Sequence, residues 1–275
     1  MPDLSAHPSS KIVKALVCGG SGTGKSHLLT TLANAGYRLF ILDYDNGLDV
    51  VRHKTLPQFH RNVLYHTLTD KLGGPKAVPQ GLPQAYTKGI ALLDKWEPES
   101  YGNPRTWGPD DVLVIDSLTF MGNAIFRYVM SMNNRLGLPK RQADWGEAME
   151  MQEGVLAYLY DESVKCNVVV NAHVTYASND ESGGIVKGYP SGLGTKLPPK
   201  IPRYFDHVLG TERQGVGSQV KYKLLTKALG PMDLKSPVPN LANELEPDLA
   251  AYFKLASGRA PVLMNPQPPT TQSKV

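Results

Sequence analysis

Cysteine is almost missing from this chain: Cys18 and Cys166 are the only two in 275 residues, each inside an apolar stretch. That excludes a disulfide framework and points to two reduced, buried thiols of the kind cytosolic proteins carry. Long hydrophobic runs are missing as well. Nothing approaches the roughly 18 to 20 apolar residues that a bilayer-spanning helix needs, and MPDLSAHPSS lacks the basic, apolar and small-residue succession of a signal peptide. The expectation is a cytoplasmic protein with no membrane partner. Charge of one sign is not in excess either. Lys and Arg number 29 against 25 Asp and Glu, a formal net charge of +4, which allows an anionic partner but falls short of a basic surplus that argues nucleic acid by itself. No internal repeat is visible.

Glycine and proline are plentiful, 26 and 22 residues, so many loops separate the regular elements. KIVKALVCGG reads as a buried strand, and SHLLTTLANAG as a helix ending at Gly36. RLFILDYD (Arg38 to Asp45), DVLVIDSLTF (Asp111 to Phe120) and NVVVNAHV (Asn167 to Val174) read as further strands. Apolar spacing is helical over Gln84 to Trp96 and Gln142 to Val164. Strand and helix alternate, which predicts an α/β fold: a mostly parallel twisted sheet with helices on both faces and ligands at the carboxyl ends of the strands. Thr67 to Pro83 and Glu97 to Asp110, rich in Gly and Pro, read as excursions from the sheet rather than core elements. Tyr176 to Arg203 reads as a loop. HVLGTER and KYKLLTK, joined by QGVGSQ, read as an antiparallel pair on one sheet edge. The division is a short leader, 1–10, one domain, 11–256, and a flexible Pro-rich tail, 257–275.

The most informative stretch is GGSGTGKS, which closes the first strand and opens the first helix. Gly19, Gly22 and Gly24 let the backbone wrap a phosphate with inward N–H donors, and Gly20 adds slack. Lys25 supplies a point charge for the β and γ phosphates, and Ser26 a hydroxyl for Mg²⁺ at the helix N-terminus. Ser21, Thr23 and His27 complete the expected nucleotide-contacting set. Asp116 ends an apolar strand, where its carboxylate can hold Mg²⁺ through water. No NKxD-type guanine-recognition stretch follows the fourth strand, so the expected cofactors are ATP and Mg²⁺.

From about Lys11 to Lys227 this order of motifs resembles the RecA-like ATPases, and among them the compact phage proteins of the Sak single-strand-annealing group. The resemblance implies that Asp45, with Asp43 two residues before it on the same face, polarises the attacking water. Family members usually have Glu there, and Asp45 is one methylene shorter, so slow hydrolysis is implied. It further implies a γ-phosphate sensor at the end of the fourth strand, His173 in preference to Asn171. Two loops carry DNA in such proteins. Their counterparts here are NNRLGLPKRQADW, with Arg135, Lys140, Arg141 and Trp145, and the stretch from Tyr176 to Arg203, with Lys187, Tyr189, Lys196, Lys200 and Arg203, followed by Tyr204. Cations interleaved with aromatic rings suit single-stranded nucleic acid. A Lys acting on a neighbouring subunit's γ-phosphate is expected in QVKYKLLTK, first Lys227, then Lys221 and Lys223. The implied protein is a slow, DNA-dependent ATPase that binds single-stranded DNA and promotes annealing in phage recombination, as a ring or filament of identical subunits, with a single-strand-binding protein as a further partner. With about ten residues before the first strand, the polymerisation arm of full-length RecA is expected to be missing or reduced. Two other readings remain open: a helicase-like or packaging motor, and a nucleotide-dependent switch that binds a protein and hydrolyses little.

Overall fold

The apolar strands are hydrophobic on both faces, a pattern that only a sheet covered on both sides accommodates. The computed structural model describes residues 11–74, 78–179, 185–228, 230–259 and 261. The 1–10 leader and nearly all of the expected flexible tail lie outside these residues. The elements in chain order are β1 (Lys14–Cys18), α1 (Lys25–Asn34), β2 (Arg38–Asp43), α2 (Asp49–Lys54), β3 (Val63–Thr67), β4 (Leu72–Gly73), β5 (Val78–Pro79), α3 (Ala85–Asp94), β6 (Asp111–Asp116), α4 (Leu118–Met132), α5 (Gln142–Tyr160), β7 (Asn167–Ala172), β8 (Val174–Asn179), β9 (Ile185–Pro190), β10 (His207–Gln214), β11 (Lys221–Leu225), β12 (Glu244–Leu245) and α6 (Leu249–Ser257).

Among the described residues, eight strands form one sheet in the order β12-β11-β10-β1-β7-β6-β2-β3. The strands from β10 to β3 run parallel, and β11 and β12 are antiparallel to their neighbours. This is the expected α/β architecture, a RecA-like P-loop fold with an antiparallel edge. Every residue of β1, β6 and β7 is buried. One core layer joins the sheet to α3, α4 and α5 through Phe40, Trp96, Leu113, Ile125 and Leu156. The other joins it to α1, α2 and α6 through Leu28, Tyr37, Ile41, Val51 and Phe253. Because β1 sits between β7 and β10, its carboxyl end opens at the middle of the sheet, where the reversal of strand order leaves room for a ligand.

Several boundaries differ from the sequence reading. β2 stops at Asp43, so Asp45 lies in a bend beyond it. The third strand ends at Asp116, the Asp116–Ser117 peptide is cis, and Leu118, Thr119 and Phe120 form the first turn of α4. Periodicity misread this boundary because a β-branched run passes straight into an amphipathic helix with only Ser117, at the N-cap position, as punctuation. The fourth strand ends at Ala172. The stretch Tyr176 to Arg203, read as a loop, is instead the β8–β9 antiparallel hairpin followed by a 3₁₀ helix, Pro198–Tyr204. Its β-branched and aromatic residues, in VTY and IV, outweigh the glycines. HVLGTER and KYKLLTK form the expected antiparallel pair, β10 and β11, and the two-residue β12 adds to it on the outside. The excursion Glu97 to Asp110 does contribute to the core: Trp107 is buried and stacks on Phe40 with centroids 3.8 Å apart and planes 12° apart. In the other excursion, Asp70 Oδ1 accepts hydrogen bonds from the Gln84 and Ala85 amides and so caps α3 from a distance.

Removing a fully packed indole costs about 3–5 kcal/mol. Trp107→Ala is therefore expected to lower the urea-unfolding free energy by that amount, whereas Lys95→Ala, whose ion pair with Glu99 is exposed, stays within about 0.5 kcal/mol of wild type. Equal behaviour of the two variants would return Glu97 to Asp110 to the surface.

Candidate nucleotide-binding site

The loop after β1 is shaped by backbone that side chains would obstruct. Gly22 and Gly24 have φ of 72° and 97°, in the left-handed region. A methyl group added to Gly19 would stand 2.0 Å from Thr211 Oγ1. The Gly19 amide donates to Ala172 O on β7 (3.2 Å), and Thr23 Oγ1 bonds both Gly20 O (2.8 Å) and Thr211 Oγ1 (2.7 Å) on β10. The loop is thus held between the two strands that flank β1. Gly20 and Ser21 are exposed at its crest, and His27 is half-buried in the first turn of α1. Lys25 is 7% exposed and folds back, donating to Gly19 O (2.9 Å) and Gly20 O (2.8 Å). Burial lowers the Lys25 pKa, and Asp116 and Asp45 pull against that.

Three carboxylates converge beyond the loop, and their partners separate their roles. Ser26 Oγ donates to Asp116 Oδ2 at 2.8 Å. Asp116 is 2% exposed, its Oδ1 has no hydrogen-bond partner, and burial pushes its pKa up to about 6. Asp45 Oδ1 accepts from both the amide and the hydroxyl of Ser117, each at 2.8 Å. Asp43 turns elsewhere: its oxygens accept from the Gly47 amide and the Thr67 hydroxyl, each at 3.2 Å. The strand ends before Asp45, so the two acids do not act as the same-face pair that the spacing suggested. His173 stands between Lys25 and Asp45, with Nδ1 3.5 Å from Lys25 Nζ and Nε2 3.8 Å from Asp45 Oδ2. Burial and the Lys25 charge lower its pKa, and Asp45 pulls against them. Asn171 lies beside Asp116 in register and is fully buried; its side chain, short of full hydrogen-bond geometry, favours the charged form of Asp116 against the burial that opposes it.

The structure distributes the remaining expected residues unevenly. In the first stretch, Arg135 pairs with Asp144 (3.3 Å), Lys140 lies over the rings of Phe126 and Trp145 (4.9 and 5.2 Å), and Trp145 packs on Phe126. These groups clamp the end of α4 to the start of α5, leaving Arg141 as an exposed cation. In the second stretch, Lys187 pairs with Asp233 (2.7 Å) and Lys200 with Glu153 (3.4 Å), Tyr189 is half-buried, and Lys196 and Arg203 are exposed. Tyr204 donates to Glu153 (2.8 Å). Lys223 pairs with Glu244. The β10–β11 register places Lys221 at the end of β11 nearer the phosphate loop and Lys227, exposed, past the other end.

Four residues of this neighbourhood have no place in the sequence motifs. Ser117 holds Asp45, Thr211 walls the loop, and Thr119 accepts the His173 amide (3.1 Å) and donates to Ser191 O (3.2 Å). Gln152, fully buried on α5, donates to Leu118 O (3.0 Å) and accepts the Leu193 amide (2.8 Å). Only Ser117 carried a signal, as a polar residue next to a strand-end acid.

Chemically, the loop offers backbone donors and one ammonium to phosphate oxygens. Among the described residues no group of three or more His, Cys, Asp or Glu could hold a metal unaided. The unpartnered Asp116 Oδ1 and the Ser26 hydroxyl fit a Mg²⁺ whose other ligands are phosphate and water, and such an ion would neutralise charge as phosphate is transferred. Asp45 Oδ2, the oxygen that Ser117 leaves unused, lies toward His173 Nε2.

The model of a protein family described as AAA domain matches residues 11–228. No curated protein matches the sequence. Similar solved structures include the flagellar accessory protein FlaH from Methanocaldococcus jannaschii (12% identity, 88% of this chain and 89% of that one, TM-score 0.42). Others are a KaiC-like protein from Pyrococcus horikoshii OT3 (12%, 78% and 77%, 0.40) and a type III secretion ATPase of pathogenic bacteria (12%, 76% and 56%, 0.43). Among the described residues no helix is long and apolar enough to cross a membrane.

A buried carboxylate with a raised pKa destabilises the empty protein wherever it is charged. That cost is absent below the ordinary carboxylate pKa, grows as pH rises, and is complete above about 6. Asp116→Asn is expected to gain roughly 3 kcal/mol over wild type at pH 7 and little at pH 4, measured by urea unfolding, while losing Mg²⁺-dependent nucleotide binding. A gain independent of pH would show that the carboxylate is not strained.

Proposed function

Because this chain belongs to the AAA domain family and is a RecA-like P-loop ATPase domain, we propose that it is an ATP- and Mg²⁺-dependent protein that grips single-stranded DNA and promotes its annealing in phage recombination, as do the Sak-type proteins it resembles. The observation that carries this reading is the neck of the β8–β9 hairpin. His173, between Lys25 and Asp45, is followed directly by β8. The Ser191 amide after β9 returns to His173 O at 2.6 Å, and Thr119 ties both ends to α4. A movement of the His173 ring on meeting a γ-phosphate would therefore be transmitted to the hairpin. That hairpin presents Tyr176, 61% exposed, for base stacking, and the exposed cations Lys196 and Arg203 follow it.

Hydrolysis in this reading uses Asp45 to orient water and Lys25 and Mg²⁺ to stabilise charge on the γ-phosphate. Asp45 is short and already holds two Ser117 hydrogen bonds, so turnover is slow. Lys227 lies past the end of β11 away from its own loop, so it would serve the site of an adjacent copy in a ring or filament. A single-strand-binding protein remains the proposed helper.

Fluorescence anisotropy with labelled single-stranded DNA, with and without ATP and Mg²⁺ over a salt series, tests the reading. Tighter binding with nucleotide is expected, with a salt slope that falls by about 1.4 in Lys196→Ala/Arg203→Ala, two cations at ~0.7 each. Absence of salt-dependent binding in either state would remove DNA as the partner. For the phosphate site, Lys25→Ala should abolish nucleotide binding, and Asp45→Asn should bind ATP yet lose turnover by 10²-fold or more.

A further inference from the structure

The phosphate loop has two sides of different chemistry. On one side, toward β7, β6 and β2, stand Asp116, Asp45 and His173, the groups that address a γ-phosphate and its cation. The other side is closed by the β10–β11 hairpin. Thr211 there bonds Thr23, and Arg213 is paired in register with Tyr222. Residues paired across antiparallel strands point to one face, and residues two apart along a strand share a face. Leu224 packs in the core layer that contains Leu28 and Leu29 of α1, so Tyr222, two positions earlier, points to the α1 face at the loop's level. The contact is direct: a methyl group placed on Gly24 would lie 3.4 Å from the Tyr222 ring. The ring is nonetheless 40% exposed, with no ring partner within the described residues.

A triphosphate that runs along the loop with its γ end at Asp45 and His173 must carry its nucleoside off the opposite end. The groups waiting there are an exposed aromatic face and the cation Arg213, itself exposed. We propose that Tyr222 is the platform on which the nucleobase of the bound triphosphate stacks, with Arg213 beside it toward the ribose and α-phosphate. An aromatic platform accepts any purine because every base has a π-face, so Tyr222 supplies affinity for the nucleoside without selecting its exocyclic groups. The assignment rests on the nucleotide-binding reading of the Gly19 to Ser26 loop and adds the part of the ligand that this loop does not touch.

Calorimetry with Mg²⁺-ATP and with inorganic tripolyphosphate, which lacks a nucleoside, separates these parts. Tyr222→Ala is expected to raise the Kd for ATP about tenfold or more and to leave that for tripolyphosphate unchanged. Tyr222→Trp is expected to keep ATP affinity and to show indole quenching with ATP but not with tripolyphosphate, a readout that survives should the alanine variant fold poorly. Unchanged ATP affinity in Tyr222→Ala, equal loss of both ligands, or an indole indifferent to ATP would each overturn the platform while leaving the loop's role intact. Wild-type protein that binds neither ligand would overturn the loop's reading and the platform with it.

Discussion

A carboxylate withdrawn from water and left half-partnered governs the arrangement around it. Asp116 is placed by β6, the fully buried strand between β7 and β2, and receives one hydrogen bond from Ser26 and none at Oδ1. Such a group is costly in an empty protein, and the sheet must be covered on both faces to hold it there. The two core layers do this, with Phe40 and Trp107 stacked on one side and α1 packed on the other. A cation shared with phosphate would relieve the strain, so instability of the empty site and affinity for the loaded one arise from the same atom.

The acids of the site are differentiated by what donates to them rather than by their strand. Asp43 is consumed by Gly47 and Thr67, Asp45 by Ser117 on one oxygen only, and Asp116 by Ser26 on one oxygen only. His173 bridges the loop lysine to Asp45 and shares its backbone with the hairpin that follows. The His173 ring and the neck of the hairpin thus belong to one chain of part-buried polar contacts, in which Thr119 and Ser191 hold the backbone on either side.

Much of this was legible in the residues. Apolar runs ending in polar residues gave the parallel sheet, and GGSGTGKS gave the loop, because glycine spacing and an adjacent Lys–Ser pair have few other physical uses. What escaped notice depended on distant or ambiguous groups. Thr211 lies 188 positions from Thr23 in the chain and has no local signature. DVLVIDSLTF looked like one strand because helix and strand periodicities overlap over a few apolar residues, and the β8–β9 hairpin was hidden by its glycines. The basic and aromatic residues around Arg135 looked like a ligand surface, yet Lys140 and Trp145 satisfy each other. Composition reports which groups are present and is silent on which are already engaged.

The position of β1 in the sheet has a consequence for how the protein comes into being. Its neighbours β7 and β10 begin at Asn167 and His207, so the strand bearing the phosphate loop stays unpaired until the chain has been made at least as far as β7. Pairings of such sequence separation form slowly and late. A chain that ends before Thr211 has the entire glycine-rich motif but lacks the β10 side chain that Thr23 bonds, so the loop is closed on both sides only once β10 has joined the sheet.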